Sequence, residues 1–178
     1  MLKKILIGSA LFFTSLSVVH AGVYMGPTLI LRDTVTKNST TREISGRLSL
    51  GYGEYLDSAL YLAGEAFLLP GAIMLTNNTS SGDSAKSTYA FGLSLIPGIK
   101  ITDLSMGYVR VGIIDSCFSS ASATRPGLQL GLGLQTALNQ NWDIRAEYDY
   151  TVYRSITSVG TPKSDWVGLG AIYKFDAE

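Results

Sequence analysis

The sequence predicts an all-β fold of eight antiparallel strands in up-and-down order, and three observations predict it. Apolar side chains recur at every second position along most of the chain after residue 22, the period of a strand with two unlike faces. No window there sustains the i, i+3, i+4 spacing of an amphipathic helix. The connectors between alternating segments are alternately short and long, which places all short turns at one end of the molecule. The composition agrees, since a chain of 178 residues that is 46% hydrophobic and 16% charged is too apolar for disorder and suits one domain.

Residues 1–21 stand apart from this pattern. Lys3 and Lys4 precede an apolar run from Ile5 to Val19, and Val19-His20-Ala21 leads into Gly22. A charged start, a hydrophobic stretch and a small-residue cleavage site make a secretory signal peptide, cleaved after Ala21, with 22–178 as the barrel domain. A membrane anchor is the competing reading, because the run approaches the ~17 residues of the shortest spanning helix. Removing 21 of the 178 residues leaves 12 basic and 14 acidic side chains, one cysteine and no histidine. Such a balance gives no electrostatic reason to expect nucleic acid. One cysteine supports neither a disulfide framework nor a common zinc site. Without histidine there is no Ser-His-Asp triad and no base to activate Cys117.

Eight segments carry the strand pattern: 23–32, 42–52, 59–69, 87–96, 104–113, 127–137, 142–151 and 165–175. The clearest is Leu128-Gln129-Leu130-Gly131-Leu132-Gly133-Leu134-Gln135, with leucine on one face and Gln or Gly on the other. In Trp142-Asp143-Ile144-Arg145-Ala146-Glu147-Tyr148-Asp149-Tyr150 one face is apolar or aromatic and the other wholly ionised. The first segment is less regular, and Pro27 within it removes a ladder hydrogen bond, so a bulge is expected there. Short connectors fall at 53–58, 97–103 and 138–141, and long polar ones at 33–41, 70–86, 114–126 and 152–164.

Two-faced strands suit either a soluble sandwich or lipocalin-like barrel, charged face outward, or a membrane barrel, charged face inward. Four features favour the membrane: the export peptide, strand lengths near the ~9–11 residues of a tilted span, the even strand number and turn polarity, and aromatics near strand ends. Tyr52, Tyr89, Trp142, Tyr150, Tyr173 and Phe175 all lie on the apolar face, where an interfacial girdle would sit. Placing Arg47, Arg110, Arg145 and Lys174 against lipid would cost ~2–4 kcal/mol each near the midplane, a total comparable with the ~5–15 kcal/mol stability of a fold. They are therefore expected inside, where they meet Glu43, Glu65, Asp143, Glu147 and Asp149. An eight-stranded barrel is only wide enough for side chains to fill, so the expectation is an ionic plug rather than a pore. Gly51-Tyr52-Gly53 and Gly131-Leu132-Gly133 resemble nucleotide-loop fragments, but neither opens a helix, and small inward residues in a tight barrel explain them.

The stretch from Asn141 to Thr151, followed by Val167-Gly168-Leu169-Gly170-Ala171-Ile172-Tyr173-Lys174-Phe175, resembles the last hairpin of the small bacterial outer-membrane β-barrel family. That family includes OmpA-like and OmpX-like barrels and the opacity-type surface proteins called porin family proteins. Pro97 to Gly112, with Arg110 after Tyr108, is similar to the family's fourth-to-fifth strand hairpin. The resemblance implies an eight-stranded transmembrane barrel in the bacterial outer membrane, inserted by the envelope barrel-assembly machinery, with no shared enzymatic activity. Only Asp176, Ala177 and Glu178 follow Phe175 in the sequence, a short tail that favours the barrel-only members as the expectation.

The function expected is a non-catalytic surface barrel that stabilises the envelope or contacts a protein or host-surface ligand through its loops, with 33–41 and 70–86 as the contact segments. It would be a monomer embedded in outer-membrane lipid and would need no cofactor or metal. Asn38-Ser39-Thr40 and Asn77-Asn78-Thr79 match glycosylation sequons, but a bacterial outer-membrane protein gives no reason to expect that modification. A narrow solute or ion channel is the first alternative. A lipid-modifying enzyme using Asp143 or Asp149 is the second, weakened by the missing histidine.

Overall fold

A computed structural model describes residues 22–36, 39–79, 87–118, 124–155 and 160–175, so the leader expected at 1–21, Asn38 of the first sequon and residues 80–86 of the connector expected at 70–86 lie outside the described residues. The strands are β1 (Gly22–Val35), β2 (Ser39–Tyr55), β3 (Leu60–Leu69), β4 (Ala72–Thr79), β5 (Ser87–Lys100), β6 (Ser105–Phe118), β7 (Thr124–Ala137), β8 (Trp142–Tyr153) and β9 (Lys163–Lys174). Each pairs antiparallel with its neighbours, and β1 pairs with both β2 and β9, which closes the sheet. β3 and β4 run along the same flank of β2, β3 against its second half and β4 against its first. They are two halves of one stave, so nine segments build a closed barrel of eight.

The break between them has a local cause. Pro70 has no N–H to give a ladder, and Gly71 sits at φ 149°, a conformation that L side chains rarely adopt. The Ser45 hydroxyl donates to the Gly71 carbonyl at 2.6 Å and ties the break to β2. Pro27, by contrast, makes no bulge. Pairing of β1 with β9 lapses at Gly26 and Pro27, while Met25↔Tyr173 and Thr28↔Gly170 keep one register on either side. A prolyl nitrogen deletes its own hydrogen bond without requiring an extra residue.

Following the ladders around the barrel measures its stagger. From Val111 the partners run one way through Leu130, Tyr150, Asp165 and Asp33 to Arg42. The other way they run through Leu95 and Gly64 to Tyr52. The circuit thus returns to β2 ten residues from where it left, at Tyr52 instead of Arg42, and that shear tilts every strand.

Three turns, at 56–59, 101–104 and 138–141, share one end and one hydrogen-bond scheme. Leu56, Ile101 and Leu138 each donate their N–H to the carbonyl four residues on, at 2.8, 2.9 and 2.8 Å. The carbonyls of Ala59, Leu104 and Asn141 accept from Lys100, Ala137 and Lys174 at 2.8 Å each, which stitches every turn to the next hairpin. Asp103, in a turn, is held below the ordinary carboxylate range by its hydrogen bond from Lys100.

At the opposite end the strands outlast the sequence pattern. The connectors expected at 33–41, 70–86 and 114–126 are largely ladder: Asp33↔Arg42, Thr34↔Thr41 and Val35↔Thr40 pair β1 with β2, β4 occupies 72–79, and β6 reaches Phe118. The fourth narrows as well, with β8 ending at Tyr153 and β9 starting at Lys163. Polar side chains such as Asp33, Thr34, Thr40 and Thr41 fall on both faces here, so alternation fades although the backbone continues to pair. Within the segments expected as long connectors, 33–35, 39–41 and 72–79 are strand.

The barrel is inside-out by the standard of a soluble protein. Leu130, Leu132 and Ile144 are 58%, 64% and 41% exposed, while Arg145 and Glu147 on the opposite face are 0% and 5%. A continuous apolar exterior of this extent is what a membrane requires of a closed barrel. Inward glycines are seats for aromatic rings: a Cβ at Gly51 would strike Tyr24, at Gly133 Tyr108, at Gly53 Tyr61, and at Gly92 Phe67. Outward Gly46 and Gly64 face open space. Gly133→Val should therefore lower unfolding free energy by ~1–3 kcal/mol through overpacking, and Gly64→Val should leave it unchanged or raise it, as read by urea titration in lipid vesicles. Equal effects at both positions would contradict the seating scheme.

Candidate functional site

The interior is stratified. Nearest the loops, Ile30, Phe67, Leu69, Ala90, Ile114, Tyr153 and Trp166 form one buried apolar cluster. Nearer the turns, Tyr24, Ala63, Ile96, Met106, Tyr108 and Ile172 form a second, with Tyr61 packed against it. Between them lies a layer of ions from four strands: Arg47 on β2, Glu65 on β3, Arg110 on β6, and Arg145, Glu147 and Asp149 on β8.

Alternation alone puts these side chains on the inner face, and the stagger decides which ones meet. Arg110 is the hub, with Nη1 2.9 Å from Glu65 Oε1 and Nη2 donating to Glu147 Oε2 at 3.0 Å. Glu147 also accepts from Arg47 Nη2, and from the Tyr108 hydroxyl at 2.9 Å. Glu65 Oε2 accepts from Arg145 Nη1 at 2.5 Å and from the Tyr24 hydroxyl at 3.1 Å. Arg145 in turn donates Nε and Nη2 to Gln135 Oε1 at 3.0 and 2.9 Å. The Gln135 amide donates to Asp143 at 2.6 Å, and Lys174 Nζ reaches Asp143 at 2.8 Å in the turn-side mouth. One unbroken polar chain therefore runs from Arg47 to Lys174.

Aromatic rings complete the solvation of the guanidinium groups. Arg145 lies 5.3 Å from the centroids of both Tyr24 and Tyr108, and Arg47 lies 4.9 Å from that of Trp166. Such contacts strengthen when desolvated, and Arg47, Arg110 and Arg145 are essentially without exposure. Charge is also balanced. Counting the pair Arg32 and Glu43 at 2.5 Å, the bonded cations Arg32, Arg47, Arg110, Arg145 and Lys174 equal in number the anions Glu43, Glu65, Asp143, Glu147 and Asp149. Each of these carboxylates forms an ion pair, the longest being Asp149 with Arg110 Nε at 3.6 Å. Among the described residues no cluster of three or more His, Cys, Asp or Glu could hold a metal.

All nine ionisable residues assigned to the interior face inward, eight of them buried and Lys174 half-buried at the mouth. The structure adds Arg32 and Gln135. Arg32 escaped notice because Pro27 and the inward-facing Ile30 blur the alternation of β1; the run Tyr24, Thr28, Ile30, Arg32 on one parity was the available signal. On the outer face Tyr52, Trp142, Tyr173 and Phe175 lie toward the turn end, and Tyr89 and Tyr150 toward the loop end. Trp142, Tyr173 and Phe175 stack edge to face, with centroids 5.1 Å apart at each step.

The sequence profile described as outer membrane protein beta-barrel domain matches residues 9–175. Comparison with curated proteins gives no match. Among solved structures, Neisserial surface protein A superposes with a TM-score of 0.64 at 19% identity, covering 88% of this chain and 100% of that one. Ail, the attachment invasion locus protein of Yersinia pestis, does so at 0.55 and 17%, covering 87% and 97%. Ail in complex with the heparin analogue sucrose octasulfate gives 0.59 and 16%, covering 88% and 100%. At these identities the likeness is one of fold.

Removing one member of the ionic layer leaves its partners charged and buried, which costs ~3–5 kcal/mol. Glu147→Leu should lower stability by that amount, because it strands Arg47 and Arg110 together. Adding Arg47→Met should recover part of the loss, giving a coupling of ~0.5–3 kcal/mol in a double-mutant cycle. Additive losses would show that the two residues do not share a bond.

Proposed function

The chain belongs to the outer membrane protein β-barrel domain family, and on that premise we propose that it is a non-catalytic surface barrel of the bacterial outer membrane. Its interior holds the cylinder together, and its strand extensions present the loop tips to the outside. The observation that carries this reading is the packed interior: among the described residues two buried apolar clusters lie on either side of an ion-paired layer. Residues 1–21 serve as the export signal, and the mature barrel begins at Gly22. It is a monomer in outer-membrane lipid, delivered by the envelope's barrel-assembly machinery and free to engage a protein or host-surface ligand at its tips.

The sulfated analogue in one Ail structure does not transfer readily. At the loop end Arg42 donates to Asp33 at 2.7 and 2.6 Å, and Asp165 pairs in register with Asp33. Arg42 is thus a compensated cation, which argues against polyanion binding at that pair.

Protein purified from outer membranes should begin at Gly22, migrate differently in detergent before and after boiling, and leave planar bilayers silent. Resolved single-channel steps abolished or altered by Arg110→Ala would replace the surface-barrel reading with the narrow channel.

A further inference from the structure

The outer face of the barrel is not evenly clad. Across β2, β3 and β5 the register lines up Leu50, Ala66 and Leu93 on one outward rung, and Tyr52, Gly64 and Leu95 on the next toward the turns. β3 thus gives these rungs only a methyl group and a hydrogen, and a Cβ at Gly64 would meet nothing within 4 Å. The leucines and Tyr52 on either side are about half exposed and stand as walls. Between them an open, almost wholly apolar groove of about 480 Å³ runs along β3. Toward the loops it stops at the rung of Leu48, Leu68 and Phe91, where β3 again carries a large side chain.

The other end of the groove carries a charge. Glu54 pairs in register with Leu62, one outward rung beyond Tyr52 and Gly64, and is half-buried there. Among the described residues no cation bonds it. Lys100, at the end of β5, is taken by Asp103 at 2.9 Å, and Lys174 by Asp143 at 2.8 Å. A carboxylate held beside hydrocarbon, at the level of the turn-side aromatic girdle, favours a ligand that brings an N–H and a positive charge together.

With the barrel embedded in lipid, the premise of the surface-barrel reading, we infer that this groove holds one hydrocarbon chain of an aminophospholipid whose primary ammonium bonds Glu54. Width selects the chain. The walls stand two strand spacings apart, ~9.5 Å between backbones, and their own side chains narrow the gap further. A helix ~10–12 Å across does not enter, and a second convex barrel meets the walls before the floor. Charge selects the headgroup. A primary ammonium donates to Glu54, a trimethylated one has no N–H to give, and an anionic headgroup is repelled. Cleavage after Ala21 would place a rival ammonium nearby, since Gly22 pairs with Gly53, and a Glu54 taken by that group would select no lipid.

Native mass spectrometry of the outer-membrane protein, released from nanodiscs of phosphatidylethanolamine, phosphatidylcholine and phosphatidylglycerol with identical chains, tests this. One phosphatidylethanolamine should be retained about fivefold more often than either competitor, the scale of a single exposed charge pair. Glu54→Gln should erase that preference while a lipid still binds. Gly64→Leu or Ala66→Leu, each filling the groove from its floor, should remove the retained lipid while the boiling-dependent gel shift persists. Equal retention of the three lipids by the unaltered protein would overturn the inference. So would a preference that survives Glu54→Gln, the mark of a carboxylate occupied by Gly22, or a lipid that survives both leucine variants. Absence of the gel shift in the unaltered protein would instead sink the surface-barrel reading, and the lipid site with it.

Discussion

Arg110 sits in the middle of the barrel with no exposed surface, its guanidinium shared between Glu65 and Glu147. A lone guanidinium there would be intolerable in a medium of low dielectric, and either carboxylate alone would leave the other guanidinium groups of the layer uncompensated. The constraint propagates. Glu147 must also take Arg47, Glu65 must also take Arg145, and the chain ends only where Lys174 reaches the mouth. Because those partners come from β2, β3, β6, β8 and β9, the bonds hold together staves that are not adjacent in the sheet. Backbone ladders close the cylinder, and the ionic layer braces it across its diameter.

The apolar clusters above and below this layer matter as much as the ions. By keeping bulk solvent out they make each charge-assisted bond strong and each missing partner costly. Phe67 and Trp166 serve both purposes, belonging to the loop-side cluster while lying over the face of Arg47. Tyr24 and Tyr108 do the same from the turn side for Arg145, and their hydroxyls reach the two glutamates. Those rings lie flat only because Gly51 and Gly133 face them. The glycine pairs that look like loop fragments in the sequence are in this way part of the same network.

Period-two alternation made most of this architecture legible before any coordinates. The faces of β8 and β7, the inward Arg47, Arg110 and Arg145, and the apolar exterior all follow from parity. Where parity is blurred the reading fails for a physical reason. Arg32 is hidden by Pro27 and Ile30, and the strand extensions at 33–35 and 39–41 are hidden because polar residues fall on both of their faces. Which ion bonds which could not be read, since it depends on a stagger of ten residues that no local pattern encodes. Gln135 was passed over for a related reason: a neutral amide on the polar face looks like filler until Arg145 and Asp143 are seen on either side of it.

The two tryptophans of the chain lie on opposite sides of the wall, Trp142 42% exposed outward and Trp166 3% exposed within, and so offer a direct reading of the inside-out arrangement. Fluorescence of the single-tryptophan variants Trp166→Phe and Trp142→Phe, folded into vesicles containing brominated lipid, separates the two. The account predicts strong quenching of Trp142 by the lipid, with Trp166 untouched by both the lipid and an aqueous quencher. Lipid quenching of Trp166 would contradict the assignment of faces, and aqueous quenching of it would contradict the filled lumen.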